Sequence, residues 1–419
     1  MVSTAMCSLL TATTGRLLTR RRLRLYPLAV LTGAVIGFAL FVAASDGLRG
    51  PLGGRIGGDL PAFYGAARIM RMGAWRSIYD WGALRTAQAD LLPDHPGGWL
   101  TFPYPPFVAA AYVPLTLLPF KTAYILHSAM MAACCLGALA LLRPCLPRLS
   151  GCFPAWAAAS LTFYPMFRAI IGGQNTALSL LCAAAAVAAI GRGRDVTAGI
   201  WLGIWLFKPQ LALPVIAVVA LGGHPKVVVG AAISFTAWYL LGAAVSTPSW
   251  PIWWWREGIM PYVGPILVVD GGNGTSLREV TSALGLSMLG WLAILVAILT
   301  VLRVVWRSNV TPPILLGLAT ALAILIAPHA LFYDVGIVLI GFSAMCDLLG
   351  RSILPVFIGI WVFAAAEPLR AYLPLPPSTV VVIASLVFMV LANRLSAAMS
   401  QPTLHADSSS AMPEAMAQI

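Results

Sequence analysis

The chain has 14 Asp+Glu among 419 residues, so each carboxylate in an apolar setting asks for an explanation. Asp59 stands out. It follows Gly57-Gly58, shortly after the first membrane-length apolar run, and opens the stretch DLPAFYGAARIMRMG, which ends at Gly73. An aspartate there suits a helix N-cap, because its side-chain oxygen can accept from the first free backbone N–H groups. It also suits a general base beside a lipid-facing cavity, where partial desolvation raises proton affinity. The two roles are compatible.

Other polar residues are equally out of place. Lys208-Pro209 puts an ammonium at the end of an apolar span. A charge at the bilayer centre costs about 2.5–3.5 kcal/mol or more, which makes such a lysine a functional candidate; snorkelling to the surface is the plainer reading. His329 follows Pro328, with Tyr333-Asp334 one turn later, and the i, i+4 spacing gives His329 and Tyr333 one helical face. His329 with Lys208 would suit a phosphate, whereas a lone histidine at a helix end would be structural. Gln174-Asn175, after Gly172-Gly173, begins a helix whose N–H groups could receive an anion; simple capping by Asn175 is the alternative. Asp270 to Ser276 reads as a flexible turn or ligand-contacting lid, without nucleotide-binding spacing. Zinc-protease, hydrolase-elbow and Walker motifs are absent from the sequence. The seven cysteines are odd in number and avoid the long loops, so neither a disulfide framework nor a zinc site is expected.

The elements that must carry these residues are membrane helices. The chain is 60% hydrophobic and 10% charged, against roughly 25% charged in soluble domains. Its apolar segments are continuous rather than alternating, which excludes a β-barrel. The expected fold is an all-α polytopic membrane protein of about twelve transmembrane helices, near 26–44, 121–142, 153–171, 175–191, 196–208, 209–222, 226–246, 284–303, 312–327, 330–346, 352–366 and 378–396. Residues 1–25 form a basic N-terminus; 26–44 is too long for a signal core and reads as an uncleaved first span. Residues 26–396 form the membrane domain and 397–419 a disordered tail.

The arginines and lysines at 16–24, 143/148, 192/194, 226, 303/307, 351 and 394 set the cytoplasmic side by the positive-inside rule. That rule, rather than nucleic-acid binding, explains the net charge of +12. Two long loops, 45–103 and 247–285, then fall outside, together with the turns bearing Gln174, Lys208 and His329. The proline-rich stretch Tyr104 to Phe120 becomes a re-entrant or surface-lying segment. Helices beginning after Asp59 and near Trp75 are expected to lie in the interface with apolar faces in lipid, and Trp250, Trp253, Trp254 and Trp255 to form an aromatic belt, with sugar stacking or lipid guidance as the alternative.

The ordered set resembles a known family. It comprises Asp59 with its Phe-Tyr-x-Ala-Ala helix and Gly73, Tyr79-Asp80, Tyr104-Pro105-Pro106 with Pro114-Leu115, Gly173-Gln174-Asn175, Gly203 with Lys208-Pro209, and Pro328-His329 with Tyr333-Asp334. It looks like glycosyltransferase family 87, the polyprenol-phosphate-mannose-dependent type within the GT-C superfamily. The resemblance implies a GT-C-like bundle in the bacterial inner membrane, with interfacial helices in the first periplasmic loop. It implies an inverting enzyme that moves a hexose, expected to be mannose, from a polyprenyl-phosphate donor to a lipid or glycolipid acceptor on the periplasmic side. Asp59 would be the catalytic base, and Lys208 and His329 would hold the donor phosphate. Gln174, Asn175, Tyr64, Tyr104, Tyr333 and Asp334 would meet the acceptor or the sugar. No cofactor or metal is expected, since Asp59 is flanked by Gly58 and Leu60 rather than by a second acid. The rival readings are a lipid transporter or flippase, which would favour repeated broken helices, and a scaffold in which Asp59 only caps.

Overall fold

The computed structural model describes residues 19–46, 48–51, 56–91, 99–261, 274–307 and 310–399. The outermost N-terminus, the 400–419 part of the expected tail, and Asp270 to Asn273 lie outside the described residues. Every named element among the described residues is helical, as the continuous apolar runs require.

Counting α-helices of seven residues or more among the described residues, the order is α1 (Arg20–Ala43), α2 (Leu60–Arg71), α3 (Trp81–Gln88), α4 (Pro106–Tyr112), α5 (Phe120–Leu142), α6 (Phe153–Leu161), α7 (Tyr164–Ile171), α8 (Thr176–Ile190), α9 (Asp195–Ile204), α10 (Pro209–Leu221), α11 (Val227–Val245), α12 (Leu277–Ala283), α13 (Ser287–Arg307), α14 (Pro312–Ile326), α15 (Leu339–Leu349), α16 (Leu354–Ala364) and α17 (Pro377–Met399), with a 3-10 helix at Phe332–Val338 leading into α15. Five helical stretches are long and apolar enough to cross a membrane: Arg20–Ala43, Phe120–Cys145, Val227–Val245, Ser287–Arg307 and Phe332–Leu349. The other apolar helical stretches contribute 10–17 residues each, α17 being counted through Asn393, so length alone does not confirm the expected twelve crossings. The 153–171 segment is two helices, parted where Phe163 is extended and Pro165 enters the first turn of α7.

The short helices pair instead. α9, extended by a 3-10 turn at Trp205–Phe207, and α10 meet at Lys208. His224 Nδ1 lies 3.1 Å from Asp195 Oδ1, so the two helices form a hairpin with Lys208 at its apex. Thirteen residues of α10 rise only about 20 Å, which leaves the apex short of a full crossing. Gly199 and Gly230 let α9 and α11 touch, since a Cβ at either would sit 2.0 Å from a facing carbonyl oxygen.

The helices sort the polar residues to two ends. At one end Arg148 reaches the Asp347 carbonyl at 2.9 Å, Trp306 Nε1 reaches the Leu221 carbonyl at 3.1 Å, and His224 meets Asp195. The other end gathers Asp59, Gly172, Lys208, His329 and Glu367. The stretch Tyr104 to Phe120 stays at that end. Tyr64 Oη donates to Leu118 O at 2.8 Å, Arg71 donates to Thr116 O at 2.6 Å, and Phe120 packs on Gly57.

The first-loop helices differ from expectation in what they touch. Phe63, Ala66 and Ala67 of α2 are buried in protein rather than turned to lipid. Phe63 stacks on Tyr112 at 4.8 Å and sits edge-on to Phe102 at 6.0 Å, because α4 and α3 cover the apolar face. The expected helix near Trp75 is a 3-10 turn followed by α3, which Asp80 caps through Ala83 N–H at 2.7 Å. The tryptophan belt is likewise corrected. Trp250 is buried, Trp253 lies 4.6 Å from Tyr79, and Trp254 Nε1 donates to Pro103 O. Trp255 is the exposed one of the four, at 55%; Trp253 and Trp254 join the second loop to the first.

Candidate active site

Two glycine turns build the site. Gly57, Gly58 and Gly173 all have positive φ, at 91°, 54° and 70°, a region closed to most L-residues. The turns interlock: a Cβ on Gly58 would stand 2.5 Å from Gly172 O, and one on Gly173 would stand 2.5 Å from Gly57 O. Asp59 N–H donates to Gly172 O at 2.9 Å. The acid is therefore fixed by its own backbone against the turn that carries Gln174.

Asp59 occupies the N-cap position of α2, yet its side chain makes no capping hydrogen bond. Its Oδ2 instead accepts from Gln174 Nε2 at 2.6 Å, and the same nitrogen lies 3.1 Å from Tyr333 Oη. The pure capping reading does not hold. Asn175 also stands at an N-cap position, before α8, and makes no side-chain cap. Its Oδ1 and Gln174 Oε1 are buried without hydrogen-bond partners, although such atoms are normally paired.

Below this lies an ion pair. Lys208 Nζ is 2.7 Å from Asp334 Oδ1, with side chains 4% and 8% exposed. Thr176 Oγ1 reaches the same oxygen at 3.4 Å, and Leu331 N–H donates to Asp334 Oδ2 at 3.3 Å. The ammonium also lies 5.7 Å from the Tyr333 ring centroid. Lys208 is thus buried in the protein rather than extended to its surface, and Asp334 compensates its charge there.

His329 departs from its expected place. The backbone between Pro328 and Leu331 is not helical, and a short bridge joins Gly274 to Leu331. His329 and Tyr333 therefore do not share a helix face: Tyr333 turns to Gln174, while His329 Nδ1 meets Glu279 Oε1 at 2.9 Å. Glu279 also closes a capping box with Ser276; the S-x-x-E spacing signals that box, but the histidine contact is a long-range one that spacing does not reveal.

Tyr104 completes the rim. Burial, then the nearby carboxylates of Asp334 and Asp59, push its hydroxyl well above the usual tyrosine range, and the Asn175 side chain hydrogen-bonds it. It is held protonated, as a donor. Tyr64, expected at the site, spends its hydroxyl on Leu118 O instead and packs on Phe120. Asp59, Tyr104, Tyr333 and His329 are part-exposed, and Gln174, Asn175, Lys208 and Asp334 form a buried floor.

The fold and site define an integral membrane protein, helical throughout its described residues, with a part-exposed acid held near a buried ion pair at one end. The chain belongs to glycosyltransferase family 87, whose family model matches residues 102–332, a little over half of the chain. Gln174, Asn175, Lys208 and His329 lie within the matched residues, whereas Asp59 precedes them. No curated protein and no solved structure matches the chain. The chain is a membrane glycosyltransferase.

Proposed function

We propose that the enzyme moves a hexose, with mannose the sugar the family resemblance suggests, from a polyprenyl-phosphate donor to a lipid or glycan acceptor at the periplasmic face of the inner membrane. One observation carries the reading. Around Asp59 stand two buried oxygens without partners, Gln174 Oε1 and Asn175 Oδ1. Two unpaired acceptors beside a carboxylate want hydroxyl donors, and a sugar is dense in them.

In this reading the acceptor hydroxyl gives its proton to Asp59 through Oδ1, since Gln174 already occupies Oδ2. The acceptor oxygen attacks the anomeric carbon from the face opposite the phosphate. The bond from that carbon to the phosphate oxygen breaks, the configuration inverts, and polyprenyl phosphate leaves with the electron pair. Lys208 spends one N–H on Asp334 and an ammonium has three, so it can still donate to the leaving phosphate. His329, on the same side, adds a ring beside it. Charge-assisted donors placed where charge develops give the largest electrostatic benefit. A lipid-linked donor suits a site at the membrane boundary, outside the compartment of nucleotide sugars.

A donor panel tests this. Protein in nonionic detergent is given polyprenyl-phosphate mannose, polyprenyl-phosphate glucose or nucleotide sugars, with membrane-lipid extract as acceptor. Transfer from a lipid-linked donor alone supports the reading; transfer from a nucleotide sugar overturns it.

A further inference from the structure

A cavity of about 640 Å³ opens at the same end as the acid and is lined by none of the residues that build the Asp59 site. Tyr164 and Arg168 of α7 form one wall, α12 a second, and the turn from Glu367 to Pro376 a third. It adjoins the Asp59 site through two connections. Phe332 lines it and its ring lies 5.3 Å from that of Tyr333, and α7 runs from Arg168 directly into the Gly172 turn that holds the Asp59 backbone.

Its charge is unbalanced. Arg370 is matched by Glu367 at 3.1 Å and also donates to the Gly274 carbonyl. Glu367 is 7% exposed and accepts from Ser378 N–H at 2.8 Å, so that pair is fixed in place. Arg168 is exposed and has no carboxylate within ion-pair distance among the described residues. Two guanidiniums against one carboxylate leave the cavity a net positive charge. The lining is otherwise apolar, and its border carries large exposed apolar side chains: Leu284 at 50%, Leu369 at 56% and Leu375 at 42%. In a membrane protein, exposed apolar side chains grouped in this way suit contact with lipid. A cationic corner with an apolar exit fits an amphiphile with an anionic head, and planar guanidinium forks match phosphate oxygens.

We propose that this cavity binds a lipid-borne phosphate, with Arg168 as its principal ligand, Arg370 as the fixed second donor, and the hydrocarbon chain leaving past Leu284 and Leu375. Lys208 and His329 each face a carboxylate, whereas Arg168 offers a whole guanidinium with no carboxylate within ion-pair distance among the described residues. The transferase reading bears only on which lipid brings the phosphate: the sugar donor, or a phospholipid on the acceptor side.

The test is equilibrium binding to full-length protein in nonionic detergent, read by native mass spectrometry. The probes are a short polyprenyl phosphate, the same polyprenol without phosphate, and phosphatidylglycerol. Arg168→Gln, at an exposed position that folding tolerates, is expected to weaken phosphate-lipid binding by about 10-fold or more. Arg168→Lys should retain most of it, Ala283→Trp should block it by filling the cavity, and polyprenol should bind weakly to all. Loss confined to polyprenyl phosphate assigns the donor; loss confined to phosphatidylglycerol assigns the acceptor side. Unchanged binding by Arg168→Gln, or polyprenol binding as tightly as its phosphate, would overturn the proposal. Wild type that binds in this way yet transfers no sugar would defeat the transferase reading and leave the cavity assignment standing.

Discussion

Asp59 and Gln174, 115 residues apart, share a hydrogen bond of 2.6 Å from amide nitrogen to carboxylate oxygen. Gln174 also reaches Tyr333 with the same nitrogen, so the amide fixes which carboxylate oxygen is left for a substrate. The pairing ties the first loop to the α7–α8 turn and makes Gln174 a positioning residue.

Replacing Gln174 with Leu removes the hydrogen bond and leaves the fold of the turn, which rests on backbone contacts. A hydrogen bond to a charged group contributes about 1.5–3 kcal/mol, equivalent to roughly 10–100-fold in rate if it acts on the transition state. The expected result is a fall of that size in kcat with a smaller change in KM. Steady-state transfer kinetics check it, and Gln174→Glu should be worse because it sets a second carboxylate against Asp59.

The interlocked glycines predict a stability effect with an internal control. Gly58→Ala must accept a left-handed backbone at about 1–2 kcal/mol and also displace the Gly172 carbonyl. Gly73 shares the positive φ, at 76°, but faces open space. Gly58→Ala should therefore lower the melting temperature more than Gly73→Ala, and it alone should abolish transfer. Thermal melts in detergent alongside the transfer assay separate the two effects.

The ion pair below the site predicts non-additivity. Lys208→Met strands a buried Asp334 and Asp334→Leu strands a buried ammonium, each costing about 3–5 kcal/mol. The double variant removes both charges and should recover most of the stability while transfer stays lost. A double-mutant cycle on melting checks this; additive losses would show that the two charges do not compensate each other.

Much of this site was legible in the sequence because an apolar chain cannot hide polar residues cheaply. Asp59, Gln174, Lys208 and Asp334 stood out for that reason, and the structure brings them together. Their partners were harder to read. Asp334 was expected beside the sugar, but its carboxylate answers Lys208 across 126 residues, a pairing that spacing along the chain does not encode. His329 and Tyr333 looked like helix neighbours, but the backbone from Pro328 to Leu331 is not helical and the helix begins only at Phe332. Arg168 drew no notice because an arginine near a helix end resembles an ordinary surface charge. The α2 pattern showed that one face is buried, but not that aromatic side chains of the α4 region, rather than lipid, bury it. The number of crossings was the least legible part: the break at Lys208-Pro209 could be read from the proline, but hydropathy does not show that Phe163 parts the 153–171 run.

The most direct measurement is sugar transfer from polyprenyl-phosphate mannose to a membrane-lipid extract by purified wild type and Asp59→Asn. The amide keeps the shape of the side chain and can still hydrogen-bond Gln174, but it cannot take a proton. The account predicts that Asp59→Asn melts close to wild type and transfers about 10²–10⁴-fold more slowly. Equal transfer by a normally folded Asp59→Asn would contradict it and remove this acid from the chemistry.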